Sequence, residues 1–139
     1  MKKKIVALLS IAAITSMFVG CSSNDGVKGD VLPQYFVVEA NKDVNVDGFE
    51  SVYSKIYDIN NDGILEELEL VKKTGKAYIL IKHAETGVVE SAIKVEENTT
   101  GIAKISDEDS DGIEEIIVTK SNDGEDIYRY NAANKGYEA

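Results

Sequence analysis

The 139 residues include no tryptophan, one cysteine, one proline and one histidine, and 15 basic residues stand against 25 acidic ones. Each shortage excludes something. The single cysteine, Cys21, rules out a disulfide within the chain. Without tryptophan, any stacking on sugar rings falls to the seven tyrosines, which serve equally well as strand core or sheet surface. His83 is the only histidine, and neither a second thiol nor a glycine-rich phosphate loop is present. General acid–base, nucleophilic and phosphoryl-transfer chemistry therefore have little to stand on, and His83 reads as an exposed strand-end residue. The formal net charge of −10 makes nucleic acid a poor partner.

One apolar run stands out. Lys2, Lys3 and Lys4 precede an apolar stretch from Ile5 to Val19, which marks residues 1–20 as an export signal rather than a core helix. Its ending, Phe18-Val19-Gly20-Cys21, resembles a bacterial lipobox, although Phe18 replaces the usual leucine or valine. The resemblance implies a lipoprotein whose mature chain begins at an acylated Cys21, the acyl chains (palmitate among them) contributing about 0.8 kcal/mol per buried methylene. The expected location is the cell envelope, lipid-anchored to the membrane and facing outward. Without the three leader lysines the 15 basic residues become 12 against 25 acidic, a net charge of −13. Residues 21–33 are small, polar and glycine-bearing and read as a flexible tether. The remaining stretch, 34–139, has the length of one modest domain.

Within that domain one pattern occurs twice. Asp58-Ile-Asn60-Asn-Asp62-Gly63-Ile64-Leu-Glu66 and Asp107-Glu-Asp109-Ser-Asp111-Gly112-Ile113-Glu-Glu115 both place side-chain oxygens at positions 1, 3, 5 and 9 with glycine at 6. Alternate side chains of a curling loop point inward, position 7 (Ile64, Ile113) adds a backbone carbonyl, and glycine accepts the positive φ of the turn. This spacing suits a hard, oxygen-loving cation, and Ca²⁺, about two per chain, is the expected cofactor. Asp43-Val-Asn45-Val-Asp47-Gly48 matches only in part, with serine at positions 9 and 12, and reads as a turn or a decayed site.

The offset of 49 residues between Asp58 and Asp107 extends beyond the loops without gaps: Lys55/Lys104, Ile56/Ile105, Gly75/Gly124, Ala84/Ala133 and Gly87/Gly136 all match. Chance identity is about one residue in twenty, so a whole supersecondary unit is duplicated, over about 50–90 and 99–139. Short β-branched and aromatic runs at Leu68–Val71, Tyr78–Ile81, Ile116–Thr119 and Ile127–Tyr130 are bounded by turn residues and predict strands. Gly101–Ile105 and Gly48–Tyr57 precede the loops and are read as strands, though Phe49, Val52, Tyr53 and Ile56 also fit a helical face. Gln34–Ala40 is expected to be a further strand. Each copy thus reads strand, loop, strand, hairpin, strand, turn, strand.

These residues resemble the calcium loops of FG-GAP or VCBS-type repeats, known from β-propeller blades. The resemblance covers about residues 50–139. It implies that Asp58, Asn60, Asp62, Glu66, Asp107, Asp109, Asp111 and Glu115 ligate metal. Two copies are too few for a propeller, so the expected fold is all-β: two tandem antiparallel β-meanders, blade-like, forming a small sandwich or a partial-propeller-like stack. Glu69 stands at position 12 of the first loop, as in EF-hands and dockerins. Both need a helix after the loop, and the second copy has Val118 at that position.

The sequence therefore points to a non-catalytic, surface-anchored calcium-binding lipoprotein whose metals are structural and whose role is interaction or adhesion with a protein or glycan it does not name. An envelope carbohydrate-binding module is the alternative, and an EF-hand or dockerin-like protein-binding module the second. Asn98-Thr-Thr100 matches a glycosylation sequon without meaning in a bacterial lipoprotein.

Overall fold

A computed structural model describes residues 35–139. The expected leader over 1–20, the acylated Cys21, the tether over 21–33 and Gln34 lie outside the described residues. Eight strands follow: β1 Glu50–Tyr57, β2 Glu66–Lys73, β3 Lys76–His83, β4 Val89–Val95, β5 Thr99–Ser106, β6 Glu115–Lys120, β7 Glu125–Asn131 and β8 Gly136–Glu138. They form two four-stranded antiparallel sheets, ordered β1-β2-β3-β4 and β5-β6-β7-β8. Each is one copy of the repeat, in the predicted order, and there is no helix among the described residues.

Alternation builds the core. In β2 and β3, Leu68 faces Ile81 and Leu70 faces Ile79 across the ladder, and Ile79 faces Ile93 of β4. The same apolar cluster takes in Ile102, Ile105, Ile116, Val118, Tyr128 and Tyr137 of the second sheet, so the sheets share one core as a small sandwich. Burying each Leu or Ile stabilises the fold by roughly 1.5–3 kcal/mol.

The two copies do not use the same face. Leu68 and Leu70 correspond to Ile117 and Thr119, yet the core receives Ile116 and Val118, the counterparts of the outward Glu67 and Glu69. β6 thus turns to the shared core the face that β2 turns away from it. A register change accompanies this: the first copy pairs Leu68 with Ile81, whereas Ile117 pairs with Ile127 rather than with Tyr130. A slip by an odd number of residues turns a strand over. β7 therefore keeps Tyr128 in the core, as β3 keeps Ile79, although β6 has turned.

The expected strand over Gln34–Ala40 is not one: residues 35–39 carry no ladder. They are extended, with Phe36 and Val38 buried, but their bonds go to separate elements. The Phe36 N–H donates to Asn60 O (3.2 Å), the Glu39 N–H to Lys135 O (2.8 Å), and Ala40 O accepts from Ala92 N–H (3.0 Å) and from Ser91 Oγ (2.7 Å). This strap ties β4 to the turn before β8. Tyr130 Oη donates to Val37 O at 2.6 Å, and Phe36 stacks against Tyr130 at 4.4 Å between ring centres. Beyond it, Val44, Val46 and Phe49 cover Val71, Leu80 and Ala92 on the outer face of the first sheet. The partial loop Asp43–Gly48 is a turn, closed by an Asp47 N–H to Asn45 Oδ1 bond of 2.8 Å.

Candidate metal centres

Each acidic loop joins the first two strands of its sheet, β1 to β2 and β5 to β6. The loops coil alike. The Asp62 N–H donates to Asp58 Oδ1 (3.1 Å) and to Asn60 Oδ1 (3.2 Å), the Gly63 N–H to Asp58 Oδ2 (3.0 Å), and the Ile64 N–H to Asp62 Oδ1 (2.8 Å). In the second loop the same bonds run from Asp111 to Asp107 (3.1 Å) and Asp109 (3.2 Å), from Gly112 to Asp107 (2.9 Å), and from Ile113 to Asp111 (2.8 Å). Left-handed backbone occurs at Asn61 and Gly63 and again at Ser110 and Gly112, which turns successive N–H groups onto the acids and their lone pairs onto a common centre.

The closing acid is the telling residue. Glu66 and Glu115 are 1% and 2% exposed, and each opens the strand after its loop. One oxygen of Glu66 accepts the Ile59 N–H at 2.9 Å, and one of Glu115 accepts the Glu108 N–H at 2.6 Å. Among the described residues no lysine or arginine pairs with either. Burial pushes the Glu66 carboxyl up to about 7, against the Ile59 hydrogen bond and with help from the charges of Asp62, Glu90 and Asp58. Burial raises Glu115 as well, the Glu108 N–H opposing it and Asp109, Asp111 and Asp107 adding to it. A buried carboxylate that lacks a basic partner is the kind that coordinates metal.

Carboxylate oxygens of Asp58, Asp62 and Glu66 lie within 4.8 Å of one another, as do those of Asp107, Asp109 and Glu115. Either group could hold a metal ion. Asn60 is tied to Asp62, a member of the first group, by its Oδ1 and Nδ2, and Asp111 stays in its loop through the bonds above without joining the second carboxylate group. Ile64 and Ile113 occupy position 7, where a main-chain carbonyl would add to an all-oxygen set suited to a hard cation. The residues present thus fit a hard cation, with oxygen donors alone.

Glu69 does not join the site. It lies on β2, on the outer face, with Lys82 Nζ at 2.7 Å. Burial would raise its carboxyl, but the hydrogen bonds from Lys82 and Ser51 hold it below the usual value. Strands follow both loops, so the helix that an EF-hand or dockerin requires is absent at these positions. His83 ends β3, and its Nδ1 accepts the Glu85 and Thr86 N–H groups at 3.3 Å.

Two acids near the sites stand at no ligand position of the motif. Glu90, at an irregularity where β4 begins, is close enough to raise Glu66, and its repeat counterpart is Ala139. Glu114 precedes Glu115 and accepts Tyr57 Oη at 2.6 Å. Burial, that bond and the charges of Glu114 and Asp58 push the Tyr57 phenol up to about 12. Periodicity and loop spacing are blind to both residues. Compared with protein families, with curated proteins and with solved structures, the chain matches none.

Proposed function

We propose that this protein is a non-catalytic calcium-binding lipoprotein of the cell envelope, held to the membrane through Cys21, in which two Ca²⁺ ions stiffen the two acidic loops of a β-sandwich that presents an interaction surface. The observation that carries the reading is the pair of matching loops, each closed by a buried glutamate with no basic partner. Oxygen-only donors and a glycine turn favour calcium over softer metals. The resemblance of both loops to FG-GAP or VCBS-type repeats supports the same ion. The reading contains no reaction, because the acids belong to the loops and His83 is engaged in its own turn. Sugar stacking has little to draw on: Tyr128 and Tyr137 are buried, Tyr53, Tyr57 and Tyr130 are committed to bonds within the fold, and Tyr35 is the one tyrosine of the described residues among the exposed large apolar side chains.

Calorimetric titration of chelator-stripped protein tests this. Two ions should bind with dissociation constants of about 10⁻⁴ to 10⁻³ M, the range of extracellular modules, and saturating calcium should raise the melting temperature. Glu66→Gln and Asp111→Ala should each weaken one site, and Glu69→Gln should leave both within about twofold. No heat and no thermal shift at millimolar calcium would refute the proposal. Loss of the first site in Glu69→Gln alone would refute the ligand assignment.

A further inference from the structure

The two loops are joined by a strut that the duplication did not supply. Tyr57 immediately precedes Asp58, the first acid of loop one, and Glu114 immediately precedes Glu115, the closing acid of loop two. Tyr57 Oη donates to Glu114 Oε1 at 2.6 Å, and Tyr137 Oη, on a buried ring, donates to Glu114 O at 2.9 Å. Both the side chain and the main chain of Glu114 are thereby held, one by each sheet. At the repeat-related positions stand Ser106, Leu65 and Val88, and none of them can form such a bridge. The strut also carries a cost: Glu114 Oε2 is buried without a hydrogen-bond partner, which is unfavourable unless the arrangement returns something.

We infer that Tyr57 and Glu114 couple the two metal sites, so that an ion in one loop raises the affinity of the other. The inference rests on the calcium reading above. An ion in loop two would engage Glu115 and order the adjoining Glu114; the bond from Tyr57 Oη to the Glu114 side chain would then order the residue immediately before Asp58. Part of the ordering that loop one needs has then been done before its ion arrives, which is positive coupling without a change of fold. Coupling of this kind is reciprocal, so the effect is the same whichever loop fills first. Repulsion between the two ions acts the other way and weakens with salt, whereas the strut is a direct bond to a charged group.

The test uses the full chain and calcium alone. Calorimetric titration gives the affinity of loop two when loop one can fill, and again when Asp62→Ala disables loop one; the mirror measurement uses Asp111→Ala. The expected ratio is about fivefold or more, the lower end of ordinary site–site coupling. Tyr57→Phe keeps the ring and deletes the donor, and should bring the ratio to about one while two ions still bind. Glu114→Ala removes the acceptor and should do the same, which keeps the inference testable if either variant folds poorly. Two ions binding with a ratio of one in the unaltered chain, or a ratio that survives Glu114→Ala, would overturn the coupling and leave the calcium reading standing. Absence of any bound ion would overturn both.

Discussion

Glu66 holds the conflict of the first loop in one side chain: the position that a cation needs ionised is the position that burial keeps protonated. Its carboxyl is raised from 4.5 to about 7, mainly by burial. A carboxyl raised on folding contributes stability that is fully present below its unfolded value and lost as pH rises through the folded one. The ion-free fold should therefore lose this contribution between about pH 4.5 and pH 7, and Glu115, raised in the same direction, adds to the loss. A bound cation favours the ionised form and offsets it. The rise in melting temperature on adding calcium should be larger at pH 8 than at pH 6, and calcium affinity should fall as pH is lowered between them. Thermal scans with chelator and with excess calcium at both pH values check this. Equal calcium shifts at pH 6 and pH 8, in Glu66→Gln and in the unaltered chain alike, would show that Glu66 does not face the ion.

At the scale of elements, the matched glycines Gly87 and Gly136 show how identical letters do different work. Gly87 has φ near +70° and nothing within 4 Å of where a Cβ would stand, so it supplies a turn conformation. Gly136 has no such φ, but a Cβ there would come within 2.3 Å of Ala40 Cβ. It is small because the strap passes over it. Gly87→Ala should cost about 1 kcal/mol through backbone strain alone. Gly136→Ala should cost about 1–3 kcal/mol by pushing the strap away, and Ala40→Gly in the same chain should recover much of that loss without helping Gly87→Ala. Urea unfolding midpoints of the four variants distinguish the two mechanisms.

The same comparison explains what the sequence made legible. Strands with a β-branched or aromatic alternation and a turn at each end announce themselves, because ladder, burial and turn chemistry all follow from neighbours in sequence. The loop acids were equally legible, since their spacing is local. The strap was not, because Tyr35–Ala40 alternates as a strand does while its partners Asn60, Ala92 and Lys135 lie far along the chain. Glu90 comes near Glu66 only through sheet packing, and Glu114, although inside the second loop, meets Tyr57 only because the sheets pack together. The choice of opposite faces in β2 and β6 also leaves no mark on a gapless repeat.

That choice has a consequence for the whole molecule. Val52, Ile56, Ile64, Leu65 and Val88 are all exposed apolar residues of the first copy. Their counterparts in the second copy are Gly101, Ile105, Ile113, Glu114 and Tyr137, and each is occupied. The Tyr53 ring lies on Gly101, Ile105 and Tyr137 belong to the shared core with Ile113 packed against it, and Glu114 takes the Tyr57 hydroxyl. The five first-copy residues stay open to solvent, whereas the outer face behind β2 and β3 is covered by Val44, Val46 and Phe49. The pair Ile56 and Ile105 isolates the effect, since residue type, strand position and repeat register are shared, and only burial differs, 52% exposed against 9%. Ile105→Ala should cost about 2–5 kcal/mol, the range for a core isoleucine, while Ile56→Ala should stay within about 0.5 kcal/mol, as surface changes do. Because both strands precede an acidic loop, a purely local effect of the substitution on loop geometry would appear equally in the two variants. Chemical denaturation of each, with and without calcium, separates these cases. Equal losses would mean that Ile56 is as buried as Ile105, and that burial is not what separates the two copies at this position.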